Sequence, residues 1–203
     1  MNFEQIVEFI RSQSVIIIYA ILFLSAFIEN IVPPFPGDAV MLAGAYLAGE
    51  GNITYIGVLL SGVAGGLTGA MTLFTIGRSG GRRFFETGRG RMLIKGNLSK
   101  MDSMFQKHGI AIILVSRFMA GIRSAVAVSA GIAQFNTARM AVLTSISLFL
   151  WYGMLLSLMI YSKSNWRMIV ESVKKYNIVL IIVGILILLL WVIRALWLRR
   201  NSK

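Results

Sequence analysis

Glu29-Asn30-Ile31-Val32-Pro33-Pro34-Phe35-Pro36-Gly37-Asp38 is the stretch on which the architecture of this chain turns. It holds all three prolines of the sequence, a carboxylate stands at each end, and residues 15–28 before it and 39–48 after it carry no charge. Proline fixes φ and removes an amide donor, so Pro33, Pro34, Pro36 and Gly37 end one helix before another begins. The thirteen residues 16–28 rise about 20 Å as a helix, which sets Glu29 well inside a hydrocarbon layer about 30 Å thick. Residues 14–49 therefore read as a re-entrant hairpin. Broken backbone at that depth is tolerated only where protein buries it or a cavity lines it.

Composition explains why lipid is the expected solvent. Of 203 residues, 57% are hydrophobic and 14% charged, with a mean hydropathy of +0.76, and the apolar residues fall in long runs between charged connectors. A single membrane domain over 1–203 is the natural division. The net charge of +12 sits mostly in the connectors, which points to membrane orientation rather than to nucleic acid. Without cysteine there is no disulfide, thiolate metal site or thiol nucleophile, and a lone His108 leaves most histidine constellations incomplete. No metal, cofactor or enzymatic activity is expected.

On the N-terminal side, Phe3, Ile6, Val7 and Ile10 recur at helical spacing, so residues 1–13 are predicted to form an interfacial amphipathic helix. Glu4 and Glu8 replace the basic start of a signal peptide, so this segment is expected to stay attached. On the C-terminal side, residues 53–77 are predicted to span. Their Gly62, Gly65, Gly66 and Gly69 form small-xxx-small pairs for close helix packing, within the chain or in a homo-oligomer.

Residues 78–108 are strongly basic and expected to be cytoplasmic, with a surface helix started by Ser99 and Asp102 and faced by Leu98, Met101 and Phe105. Residues 109–135 are long enough to span but carry Arg117 and Arg123 near the middle, which favours a second hairpin bending at Ala120 and Gly121. Residues 137–161 and 177–198 read as two further spans, with the C-terminus cytoplasmic. Against this count, the connector 162–177 with Lys163, Arg167, Lys174 and Lys175 falls outside. The fold class is an all-α membrane protein: an inverted repeat of re-entrant hairpin plus transmembrane helix, with an extra C-terminal span. Secondary transporters are built on such repeats, whose broken helices meet near the midplane.

Four charges lie within apolar segments: Glu29, Asp38, Arg117 and Arg123. Each alone is costly in lipid, so they are expected to pair or to face a water-filled cavity. A structural ion-pair network joining the hairpins is one reading. In the functional one, Arg117 and Arg123 hold an anionic head group in their forked guanidinium groups, and Glu29 and Asp38 exchange a proton as substrate enters or leaves. Asp38, following Pro36 and Gly37, also has the position of a helix cap. Trp151, Trp166, Trp191 and Trp197 read as packing or interface anchors.

The quoted stretch resembles the Glu-Asn…Pro…Pro-Gly-Asp/Glu signature of the DedA (SNARE-associated, VTT-domain) membrane proteins. Gly69, Ile76-Gly77-Arg78, Lys107-His108-Gly109, Arg117-Phe118-Met119-Ala120-Gly121-Ile122-Arg123 and Ala130-Gly131 resemble its later motifs, so the likeness runs from about residue 29 to 161. Ala70 stands where many members have an acid, and Ala120 where they have a proline. The resemblance implies two facing re-entrant hairpins and lipid movement across the bacterial inner membrane, of undecaprenyl phosphate or, in some members, phosphatidylethanolamine. It also implies Glu29, Asp38, Arg117 and Arg123 as the functional residues. A phospholipid flippase or scramblase and a proton-coupled small-solute transporter stay open, whereas a membrane phosphatase would have too few histidines.

Overall fold

The structure, a computed structural model, describes residues 3–32, 35–81, 98–118 and 122–161. Among these, seven α-helices occur and no strand: α1 (Phe3–Arg11), α2 (Val15–Ile31), α3 (Gly37–Gly49), α4 (Tyr55–Ile76), α5 (Leu98–Ser116), α6 (Ile122–Ile132) and α7 (Thr137–Tyr161). A π-helical turn, Gly77–Gly81, prolongs α4. Two helices are long and apolar enough to cross a membrane, Tyr55–Gly81 and Thr137–Tyr161.

Helix α4 is the pillar. Its glycines let other backbones approach: a Cβ on Gly65 would run into the Phe23 carbonyl, and one on Gly69 would stand 2.8 Å from the Phe27 carbonyl, so α2 lies directly against α4. The same device recurs at the far end, where Gly77 faces the Val128 carbonyl and Gly131 the Phe74 carbonyl, seating α6. Gly62 and Gly66 admit Met41 and Leu148. The glycine face predicted from sequence is thus used within the chain. Thr54 caps α4 by accepting from the Gly57 amide at 3.1 Å, and the Tyr19 hydroxyl accepts from the Thr54 amide at 3.1 Å, tying the start of α2 to the start of α4.

Apolar side chains gather in two clusters. One joins α1, α2, α3 and the first half of α4 to the second half of α7, with Leu22, Met41, Leu42, Leu148 and Leu155 at its centre. The other joins the end of α4 to α5, α6 and the start of α7 through Phe74, Phe105, Ile113 and Met140. Along α7, Thr144 and Ser147 separate Met140 of one cluster from Leu148 of the other, and both are buried. The outer surface is the reverse of a soluble protein's: Ile16 is 81% and Ile56 70% exposed, whereas Glu29 is 2% and Arg117 5% exposed. Apolar groups outside and charges inside are favourable where lipid replaces water.

Helices α2 and α3 fall within residues 14–49 and α7 covers residues 137–161, while two other elements differ from expectation. The surface helix and the first arm of the second hairpin, expected as separate elements meeting near residue 109, form one continuous helix, α5. A lone glycine costs a helix only about 1 kcal/mol, and Gly109 makes room for the Phe135 ring, 2.8 Å from where a Cβ would stand. Helix α4 runs on as the π-helical turn to Gly81, past the expected end at 77. Pro33, Pro34, Ala120, Gly121, most of the basic segment, the connector 162–177 and the third span at 177–198 lie outside the described residues.

Candidate functional site

Glu29 occupies the last turn of α2, and Gly37 opens α3 beside it. A Cβ on Gly37 would stand 2.8 Å from the Glu29 Cβ and collide with its carboxylate, so glycine is needed there for close approach. Arg123 in the first turn of α6 meets Glu29 across the fold: Nη2 stands 2.6 Å from Oε1 and also donates to the Glu29 backbone carbonyl at 3.2 Å. The next residues repeat the contact, Ser124 Oγ donating to the Asn30 carbonyl, while Asn30 Nδ2 donates to the Ala26 carbonyl at 2.8 Å. Two consecutive residues of α6 thus stitch that helix to the end of α2.

Arg117 follows the end of α5 and is bound differently. Its Nη2 donates to the Tyr152 hydroxyl at 2.7 Å, and its guanidinium carbon lies 4.8 Å from the centroid of the same ring. Arg117 makes no ion pair among the described residues. Asp38, in the first turn of α3, caps nothing with its side chain; its Oδ1 accepts from Trp151 Nε1 at 2.8 Å. Trp151 and Tyr152 are neighbours on α7, so one helix holds the acid of the first hairpin with one residue and an arginine of the second with the next. Ser147 Oγ donates to the Leu114 carbonyl at 2.9 Å, fixing α7 to α5 below them.

Arg117 and Arg123 line one cavity of about 20 Å³ together with Asn30, Ala70, Ser116 and Thr144. That is room for about one water-sized ligand, between these polar groups and the apolar side chains of Ile113, Val126 and Met140. Arg117 Nε, Arg123 Nε, Thr144 Oγ1 and Glu29 Oε2 are buried without a protein partner, and each such group is costly unless something binds it. Ala70, the position where the DedA likeness would place an acid, contributes only a methyl group to this wall.

All four residues singled out from sequence are buried. The structure brings Glu29 and Arg123 into contact and places Asp38 and Arg117 against α7. Sequence reading missed Asn30, Ser124, Trp151 and Tyr152, the tryptophan having been expected as an anchor. The available signal was an indole and a phenol side by side in the middle of a 25-residue apolar helix, far from either interface. His108, expected at a hairpin mouth, is an exposed residue within α5. Among the described residues no group of three or more His, Asp or Glu side chains is placed to hold a metal ion.

Comparison with known proteins bears on the family of the chain. The sequence model of the VTT domain matches residues 35–162. "Undecaprenyl phosphate transporter A" of Bacillus subtilis (strain 168) is 29% identical over 157 residues, 77% of this chain and 79% of the relative. "Uncharacterized membrane protein YkoX" of the same organism is 32% identical over 183 residues, 90% of this chain and 80% of its own length. "Protein DedA" of Escherichia coli (strain K12) is 30% identical over 176 residues, 84% and 77% of the two chains. No solved structure matches the chain.

Proposed function

The chain belongs to the VTT-domain family that includes the DedA proteins, and on that basis we propose that it is a transporter of a lipid phosphate, undecaprenyl phosphate, in the bacterial inner membrane. One observation carries the reading: Arg117 is a buried guanidinium with no carboxylate partner among the described residues, in the wall of a small cavity it shares with Arg123. A phosphate monoester, larger than the cavity as it stands, enters as the Arg123–Glu29 pair loosens and supplies the missing negative charge in the forked geometry that arginine favours.

The helix pairs α2–α3 and α5–α6 act as two facing re-entrant hairpins, each followed by a span, α4 or α7, in an inverted repeat. The basic residues after α4 put that end in the cytoplasm. Arg117 is the standing phosphate ligand. Arg123 joins it when a proton neutralises Glu29 and loosens the pair, so proton and phosphate binding reinforce each other. Asp38, held by Trp151, is the second proton-linked group.

The reading is tested by measuring binding of undecaprenyl phosphate, phosphatidylethanolamine and phosphatidylglycerol to the purified protein in nanodiscs at several pH values. Selective binding of undecaprenyl phosphate that tightens as pH falls, and is lost in Arg117→Ala, is the expected result. Equal, pH-independent binding of all three would point to a scramblase or a solute transporter, with the arginines structural.

A further inference from the structure

The basic end of the bundle holds a second, larger cavity that the central site does not use. It measures about 520 Å³, within the range of about 300–1,000 Å³ typical of small-molecule sites, and Arg78, Phe105, Gln134, Phe135, Thr137 and Arg139 line it. Among the described residues no carboxylate lines it. Arg78 Nη1 donates to the Phe135 carbonyl at 3.1 Å and to Thr137 Oγ1 at 3.0 Å, and Gln134 Nε2 donates to the Arg78 carbonyl at 3.2 Å. The guanidinium is therefore pinned at one corner, with Nη2 and Nε making no hydrogen bond among the described residues. Arg139 gives its backbone amide to Asn136 Oδ1, at 2.9 Å, and its side chain has no partner among the described residues.

Position gives these two cations a purpose. Arg78 lies eight residues beyond Ala70 on α4, and Arg139 eight before Ser147 on α7, so both helices put this cavity about 12 Å along their axes from the central one. It sits where the two helices long and apolar enough to cross a membrane come to the basic end of the bundle. Basic pockets between helices on that side of a membrane recognise anionic head groups. We infer that this cavity is a separate docking site for the phosphate of an anionic membrane lipid, held between Arg78 and Arg139 over the Phe105 and Phe135 rings.

Association of spin-labelled phosphatidic acid with the full chain in phosphatidylcholine nanodiscs tests this, because it reads binding and is indifferent to whether the central site carries a lipid across. Arg139→Gln, which disturbs no bond of the fold, is expected to weaken association about tenfold, and by the same factor in an Arg117→Ala background. Arg11→Gln, which removes an equal charge at the other end of the bundle, is expected to change nothing. An unchanged affinity in Arg139→Gln would overturn the inference. So would an equal loss in Arg11→Gln, disappearance of the Arg139 effect without Arg117, or displacement of the lipid by inorganic phosphate at equal concentration.

Discussion

Arg123 and Arg117 stand six residues apart on opposite sides of one helix break, are both buried, and face the same small cavity, yet they are committed to different degrees. Where α6 meets α2, Arg123 is saturated on one edge by the Glu29 carboxylate and carbonyl, and Ser124 adds a second tie. Where α5 meets α7, Arg117 has a phenol hydroxyl and a ring face. A buried pair loses most when one partner is removed, because the other charge is stranded; a buried cation without a counter-charge is instead suited to receive one from outside. The first contact suits holding, and under the proposed function the second suits binding.

The largest expected effect lies at the holding contact. Glu29→Gln strands Arg123 and should destabilise the protein by about 3–5 kcal/mol, read from denaturant unfolding in detergent, with the loss reduced when undecaprenyl phosphate is present. Arg117→Ala should cost far less in the same assay, since it strands no carboxylate among the described residues. Equal destabilisation by the two would erase the distinction between the contacts.

The difference between these contacts also marks how far the sequence could be read. Glu29, Asp38, Arg117 and Arg123 stood out because a charge in an apolar run needs a reason, and the three prolines placed the separation of α2 from α3 within a residue or two. The glycine spacing of α4 announced its close packing. Trp151 and Tyr152 gave no such warning, because a helix with lipid on one side and protein on the other is apolar all round, so its pattern does not say which face turns inward. The pairing of Glu29 with Arg123 rather than Arg117 depends on how the two helix breaks meet, across 94 residues of sequence. The continuity of α5 was hidden by Gly109, read as a boundary where it is a packing site.

Next in size is the binding contact itself. Removing the Arg117 guanidinium should weaken lipid-phosphate binding by about 10–100-fold, the worth of a charge-assisted hydrogen bond of about 1.5–3 kcal/mol. Arg117→Lys, which keeps the charge but not the fork, should fall between. Tyr152→Phe keeps the ring but leaves Nη2 without its acceptor; a stability loss of about 1–3 kcal/mol by thermal unfolding is expected.

Ala70→Asp tests the uncommitted arginine from the other direction. A carboxylate in the cavity wall gives Arg117 an internal counter-charge, so lipid-phosphate affinity should fall about tenfold while stability holds or rises. Unchanged affinity would mean that Arg117 is not the group that meets the phosphate. The smallest effect belongs to the supporting tie: Ser124→Ala should cost about 1 kcal/mol of stability and leave binding selectivity intact.

Binding of undecaprenyl phosphate to wild type, Arg117→Ala and Glu29→Gln at neutral and mildly acidic pH separates the roles in one experiment. Selectivity should vanish in Arg117→Ala, while Glu29→Gln should bind at neutral pH more tightly than wild type and lose most of its pH dependence. Retained selectivity without Arg117, or a Glu29→Gln variant that binds no better at neutral pH than wild type, would contradict the account.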